Sequence, residues 1–137
     1  MIAHQLVRLS PKPRGFHLVT RELMQQVELP STGDGLLQLL IQHTSAGLTL
    51  NENADPDVRH DMALYFDRLV PENLSGMRHT LEGPDDMPAH VKGALSGFGV
   101  SLPFRDGQLL LGTWQGIYLC EYRNRASARR IVATVMT

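Results

Sequence analysis

Apolar positions recur along this chain in two rhythms, period two at both ends and a helical period in the middle. Residues 2–9 (IAHQLVRL) read as a strand of mixed polarity, closed by Ser10-Pro11 and the turn PKPRG. Phe16 to Val19 continue as a second strand, and Thr20 caps a short helix reaching to about Glu28. After the loop at Pro30 and STGDG, residues 36–42 (LLQLLIQ) form a mostly apolar strand that ends in HTSAG. Leu48 to Leu50 give a short strand running into Asn51-Glu52-Asn53. Asp55 followed by Pro56 then signs the start of a helix. Val58, Met62, Tyr65, Phe66 and Leu69 make its apolar stripe, and Pro71 ends it.

The stretch from Gly83 to Gly93 (GPDDMPAHVKG) predicts a second helix, with Asp86 as N-cap and Pro88 in the first turn. Met87, Val91, Ala94 and Leu95 share its inward face. His90 falls at the edge of that stripe, and Lys92 points elsewhere. From Gly97 the period returns to two. FGVSLPF, the Asp106-Gly107 turn, QLLLGTW, GIYLCEYRN and RRIVATVM form a run of antiparallel strands. The class is α+β, one domain over 1–137, with an antiparallel β-sandwich-like core and two main inserted helices.

Composition narrows the function. A net charge of −1 with no basic run argues against nucleic acid as partner; Arg123, Arg125, Arg129 and Arg130 are the local exception. A single cysteine, Cys120, excludes an intrachain disulfide and suits a reducing compartment. No signal pattern and no membrane-length apolar run occur, so the expected location is cytoplasmic, with no membrane partner.

The chemistry-bearing residues are spread widely. His43 stands at a strand end, where a sheet fixes the backbone, with Thr44 and Ser45 beside it; a core histidine bonded to backbone is the alternative. His43, His79 and His90 are compatible with an open three-histidine metal site. Glu52, Asp55, Asp85 and Asp86 are further oxygen ligands or general bases, or else helix caps; Asp85 and Asp86 cannot both cap. Thr113-Trp114-Gln115, between two glycines, offers a hydroxyl, an aromatic plate and an amide. Arg129 and Arg130 open the last strand on opposite faces. The inward one needs an anion, either Glu121 or a substrate phosphate. Cys120 reads as a small buried residue, and His60 as exposed beside a carboxylate.

QHTSAGLTLNENADPDVRHDM, EGPDDMPAHVKG and LGTWQGIYLCEYR, with GFHLVT before them and an Arg pair after, resemble the YjbQ-like family along essentially the whole chain. These are small bacterial and archaeal proteins often described as secondary thiamine-phosphate synthases. The resemblance implies a homotrimer with clefts near subunit interfaces. It places the family's histidines on His43, His79 and His90 and its acidic pair on Asp85 and Asp86. The aromatic usual two residues before the second histidine is Met77 here.

The implied activity joins a pyrimidine diphosphate to a thiazole phosphate and releases pyrophosphate. Its expected machinery is a divalent ion, zinc or magnesium, on the three histidines, with Asp86, Glu52, Asp85, Trp114 and Gln115 as catalytic groups. Thr44, Ser45, Asn51, Lys92, Thr113, Arg129 and Arg130 would contact a small phosphorylated metabolite. The chain lacks the alternating βα repeats of a barrel-type thiamine-phosphate synthase. Two rival readings are a metal-dependent hydrolase on the same histidines and a non-catalytic trimer that binds a small anionic metabolite.

Overall fold

A computed structural model describes all residues from Met1 to Thr137. The strands are β1 (Ile2–Leu9), β2 (Gly15–Leu18), β3 (Asp34–Ile41), β4 (Ala46–Glu52), β5 (Gly99–Arg105), β6 (Gln108–Leu109), β7 (Gln115–Glu121) and β8 (Arg129–Met136). The helices are α1 (Thr20–Met24), α2 (Pro56–Leu69) and α3 (Asp86–Ser96). All pairings are antiparallel. One sheet has the order β1-β8-β3-β5-β6 and the other β2-β7-β4.

Alternation along the strands packs the sheets face to face. Val7, Leu9, Leu37, Leu39, Ile131 and Ala133 from the large sheet meet Ala46, Leu48, Ile117 and Leu119 from the small one in a single core. The other face of β7 turns Tyr118, Cys120 and Tyr122 toward the helices. There they join Phe16 and Ala89 in a second cluster, flanked by Met62, Ala63 and Phe66 of α2. The fold is α+β in three layers, sheet, sheet and helices.

Local signals explain most boundaries. Asp55 accepts from the Asp57 N–H at 2.9 Å, and Pro56 follows at the first helical position, as the sequence predicts. Asp106 and Gly107 both have positive φ, 49° and 76°, the pair that a tight two-residue hairpin turn requires. Several expectations are corrected. Thr20 does not cap α1: its hydroxyl accepts from the Ile117 N–H at 2.8 Å, tying the helix to β7, and the helix stops at Met24. β6 ends at Leu109, well short of Trp114. On α2, Tyr65 and Leu69 are exposed, because the helix forms the outermost layer and only Met62, Ala63 and Phe66 press inward.

The face of α3 is rotated from the expected one. Asp86, Pro88, Ala89, Lys92 and Gly93 are buried, whereas Val91, Ala94 and Leu95 are exposed. Small residues decide this. A Cβ on Gly93 would lie 3.0 Å from the Phe98 ring, so only a side chain this small lets the helix sit so near. β4 reciprocates, since a Cβ on Gly47 would come within 2.6 Å of the Gly97 carbonyl oxygen. Gly47→Ala is therefore expected to cost about 2 kcal/mol through overpacking, read as a lower denaturant midpoint with an unchanged slope.

Candidate functional site

The close seat of α3 brings its first two turns against the loop before it and the end of β7. The Asp86 carboxylate is the centre. Its Oδ2 lies 2.6 Å from His79 Nε2 and 3.0 Å from His90 Nε2, and its Oδ1 accepts from Arg123 Nη1. Asp86 and His90 are one helical turn apart, so the helix itself sets that spacing. Asp85 Oδ2 accepts from Arg123 Nε at 3.0 Å and from the Asn124 N–H at 2.9 Å. Neither aspartate side chain caps α3; both are committed to Arg123 and the histidines. Burial pushes the Asp86 carboxyl up, but the His79 hydrogen bond and the charges of Arg123 and His90 outweigh it and hold the group below its ordinary value. Asp85 behaves likewise: burial raises it, and the Asn124 N–H and Arg123 bring it lower still.

His90 carries the most informative geometry. Its Nδ1 lies 2.9 Å from the Thr44 carbonyl oxygen, which only accepts, so Nδ1 bears a proton. In the neutral ring Nε2 then presents a lone pair to the Asp86 carboxylate at 3.0 Å. Two lone pairs do not face each other at that distance without a cation between them, either a second ring proton or a metal ion. One potential ligand atom from each of His79, Asp86 and His90 lies within 4.8 Å of the other two. Ligands on a tetrahedral zinc ion stand about 3.3 Å apart. The His90 spacing is near that value, and the His79 spacing, at 2.6 Å, would lengthen on binding an ion. The donor set therefore fits a divalent ion of the two-histidine, one-carboxylate kind. The backbone bond to Nδ1 is the usual outer-shell support for such a ligand.

The other sequence-predicted residues lie elsewhere in the chain. His43 stands outside this trio: its Nε2 accepts the Arg130 backbone N–H at 2.9 Å. Burial, with the Arg129 and Arg130 charges, lowers the His43 pKa against a smaller opposing pull from Glu121, which keeps the ring neutral as an acceptor must be. A histidine depressed in the folded state stabilises above its unfolded value, near 6.5, and loses that contribution as pH falls. His43→Gln, which retains an acceptor without a titrating ring, is expected to flatten the loss of stability between about pH 7 and 5. Denaturant midpoints across that range measure it.

Arg129 is buried and spent on Glu121, with Nε and Nη2 at 2.7 and 2.5 Å from its two oxygens, so the inward arginine is answered by the carboxylate rather than by a phosphate. The same Nη2 reaches Ser45 Oγ at 3.1 Å. Thr44 contributes its carbonyl to His90. Lys92 is turned inward on another flank of α3 and pairs with Asp67 at 2.6 Å; it is no part of the Asp86 cluster. Arg130 is exposed, as alternation predicts. His60 is exposed and bonds Asp61, and Cys120 is buried, its thiol pushed up to about 12 by burial.

Asn51, Glu52, Thr113, Trp114 and Gln115 occupy the opposite end of the small sheet. Glu52 pairs with Gln115 and Ala46 with Glu121, which sets the two ends about 20 Å apart at the usual strand rise. There the Glu52 carboxylate accepts from the Ala54 and Asp55 N–H groups, Asn51 Oδ1 accepts from the Glu52 N–H, and Gln115 Oε1 accepts from the Gly112 N–H. Trp114 is exposed. One chain does not bring this group to Asp86. Arg123 is the residue that sequence reasoning left without a role. Its signal is the arginine cluster that follows an alternating strand ending at Glu121.

Fold and site together define a small α+β sandwich protein with a two-histidine, one-carboxylate cluster at the start of a helix. Residues 5–137 match the family model described as UPF0047 protein YjbQ-like. The UPF0047 protein YjbQ of Escherichia coli O157:H7 is 53% identical over 128 residues, 93% of this chain and 92% of its own length. Its Salmonella typhimurium counterpart is 52% identical over 94% of each. A conserved hypothetical protein of Thermus thermophilus superposes with a TM-score of 0.81 at 32% identity, covering 96% of this chain and 98% of its own. A YbjQ-like protein of unknown function from Sulfolobus solfataricus reaches 0.85 at 23% identity, covering 99% and 97%, and shows the fold alone. The chain belongs to the YjbQ-like family. No helix is long and apolar enough to cross a membrane.

Proposed function

We propose that His79, Asp86 and His90 hold a divalent metal ion and that the protein is an enzyme acting on a small phosphorylated metabolite. The observation that carries this reading is the His90 ring, whose Nδ1 is committed to the Thr44 carbonyl while Nε2 faces a carboxylate. A bound ion there would supply Lewis-acid stabilisation of a phosphate or diphosphate oxygen as charge develops. The chain's own residues do the rest. Thr44 fixes the His90 tautomer, and Arg123 bridges Asp85 and Asp86 and offsets one of their two charges at a buried site. Arg130, exposed on the outward face of the large sheet, makes no side-chain bond within the chain and is one of several free cations; it would reach a substrate phosphate at this site only from a neighbouring subunit.

The particular reaction favoured by the family resemblance is thiamine-phosphate synthesis, loss of pyrophosphate from a pyrimidine diphosphate with transfer to a thiazole phosphate. The test is pyrophosphate release by metal-loaded protein. Release that requires both substrates supports the synthase. Release from the diphosphate alone identifies a hydrolase, and none with any ion leaves a binding protein and overturns the enzymatic reading.

Assembly as a homotrimer is part of the same proposal. The outward face of the large sheet supports it: Leu6, Val132 and Leu40 fall in one cross-strand row, Ile2, Met136 and Leu36 in another, with Ile2, Leu6, Leu36 and Leu40 exposed in the single chain. The mass in solution by light scattering distinguishes a trimer from a monomer.

A further inference from the structure

A second cavity lies on a different flank of α3 from the histidines. At the helical repeat, Lys92 stands about 200° around α3 from His90, so the two residues serve separate spaces. This cavity has a volume of about 180 Å³ and is walled by Phe16, Ala63, Phe66, Lys92 and Tyr122. An apolar cavity of about 150 Å³ takes up benzene, so the space fits one ring with a small substituent.

Its apolar side is aromatic, and Arg14, Asp67, Lys92 and Glu121 line the rest. Phe66 and Tyr122 lie 5.9 Å apart and nearly parallel, and Phe16 meets both edge-on, at 5.1 and 6.0 Å. Into this setting projects a buried ammonium. Lys92 is 3% exposed, sits 5.9 Å over the Tyr122 ring, and gives one hydrogen bond within the chain, to Asp67 Oδ1 at 2.6 Å. An ammonium has three donors, and a buried charge calls for acceptors on the others.

Asp67 is a half-exposed residue of α2, and it bridges two cations, since Arg14 Nη2 also reaches it at 3.3 Å. Arg14 in turn holds Glu72 at 3.1 Å. The remaining charged wall residue, Glu121, is matched by Arg129.

We infer that this cavity is a binding site for a small, flat monocarboxylate, one aromatic or heteroaromatic ring bearing a single carboxylate. The ring would lie against the wall formed by Phe16, Ala63, Phe66 and Tyr122. The carboxylate would accept from Lys92 and Arg14, where Asp67 now stands between them. Lys92 and Arg14 disfavour a cationic ligand, and the neighbouring Asp67 and Glu121 carboxylates disfavour a dianion. The inference is independent of the metal reading, because the two sites share α3 but no ligating side chain.

Benzoate is the probe, titrated into the full chain by NMR, with benzamide and benzylamine as its neutral and cationic counterparts. Saturable benzoate binding is expected, with benzamide weaker by about tenfold or more, the loss of a charge-assisted hydrogen bond. Lys92→Met is expected to weaken benzoate by about tenfold or more for the same reason. Asp67→Asn, which removes the competing carboxylate, is expected to tighten it. Ala63→Leu fills the cavity and leaves every charge in place, so it decides the matter if Lys92→Met does not fold; it is expected to abolish binding. Absence of saturable binding in the parent, equal affinity for benzamide, or benzoate binding unchanged by Ala63→Leu would overturn the assignment.

Discussion

Asp86→Asn is expected to abolish both metal binding and turnover while leaving a folded but weakened protein. The carboxylate is one of three proposed ligands, and its oxygens also answer His79, His90 and Arg123. Asparagine keeps the shape and removes the charge. Metal affinity should fall by at least about a hundredfold, since even an outer-shell loss costs 10–100-fold. Arg123 retains Asp85 and the Glu82 carbonyl, so the guanidinium is not stranded, and the stability cost should be about 2–3 kcal/mol. Urea unfolding of metal-free protein separates this cost from the loss of the ion. Asp86→Asn protein that binds metal as tightly as the parent would remove Asp86 from the ligand set.

The second large effect concerns Arg129 and Glu121. Both are buried and joined by two hydrogen bonds, and Arg129 also reaches Ser45. Arg129→Met strands the buried Glu121 carboxylate, and Glu121→Gln leaves the buried Arg129 guanidinium without its counter-charge. Arg129→Met should cost about 3–5 kcal/mol. Replacing both, Arg129→Met with Glu121→Leu, removes the stranded charge and should recover most of that loss. The cycle separates two roles for the arginine. If it were a substrate clamp, the single variant would bind phosphorylated ligands poorly at nearly unchanged stability; as an internal ion pair, it loses stability first.

These two sites also show what the sequence made legible. β1 and β8 span the predicted residues 2–9 and 129–136, β1 closing at Ser10-Pro11, and the opposite facing of Arg129 and Arg130 follows from the two-residue period. The start of α2 was equally plain from Asp55-Pro56. The α3 face was misread for a physical reason. Hydrophobicity marks Val91 and Leu95 as core, but close approach to β4 favours Ala89 and Gly93, whose value is their small size. Asp85 and Asp86 looked like caps because a cap needs only local sequence, whereas their real partner, Arg123, is remote in sequence.

The candidate site was legible in part. The spacing of His90 after Asp86 is helical and local, so that pair could be read from sequence. His79 meets them only because the loop before α3 folds back, and His43 is grouped with them by residue type and by the family resemblance. The Glu52 and Trp114 region depended on strand register for its location. Register places it at the far end of the small sheet, and no composition signal carries that information.

The most direct test of the account is metal content per chain, for tag-free protein reloaded with zinc and dialysed, in the parent and in His79→Ala, Asp86→Asn, His90→Ala and His43→Ala. One ion per chain in the parent, lost in the first three variants and retained in His43→Ala, is the predicted result. No bound ion in the parent, or a loss in His43→Ala equal to that in the others, would contradict it.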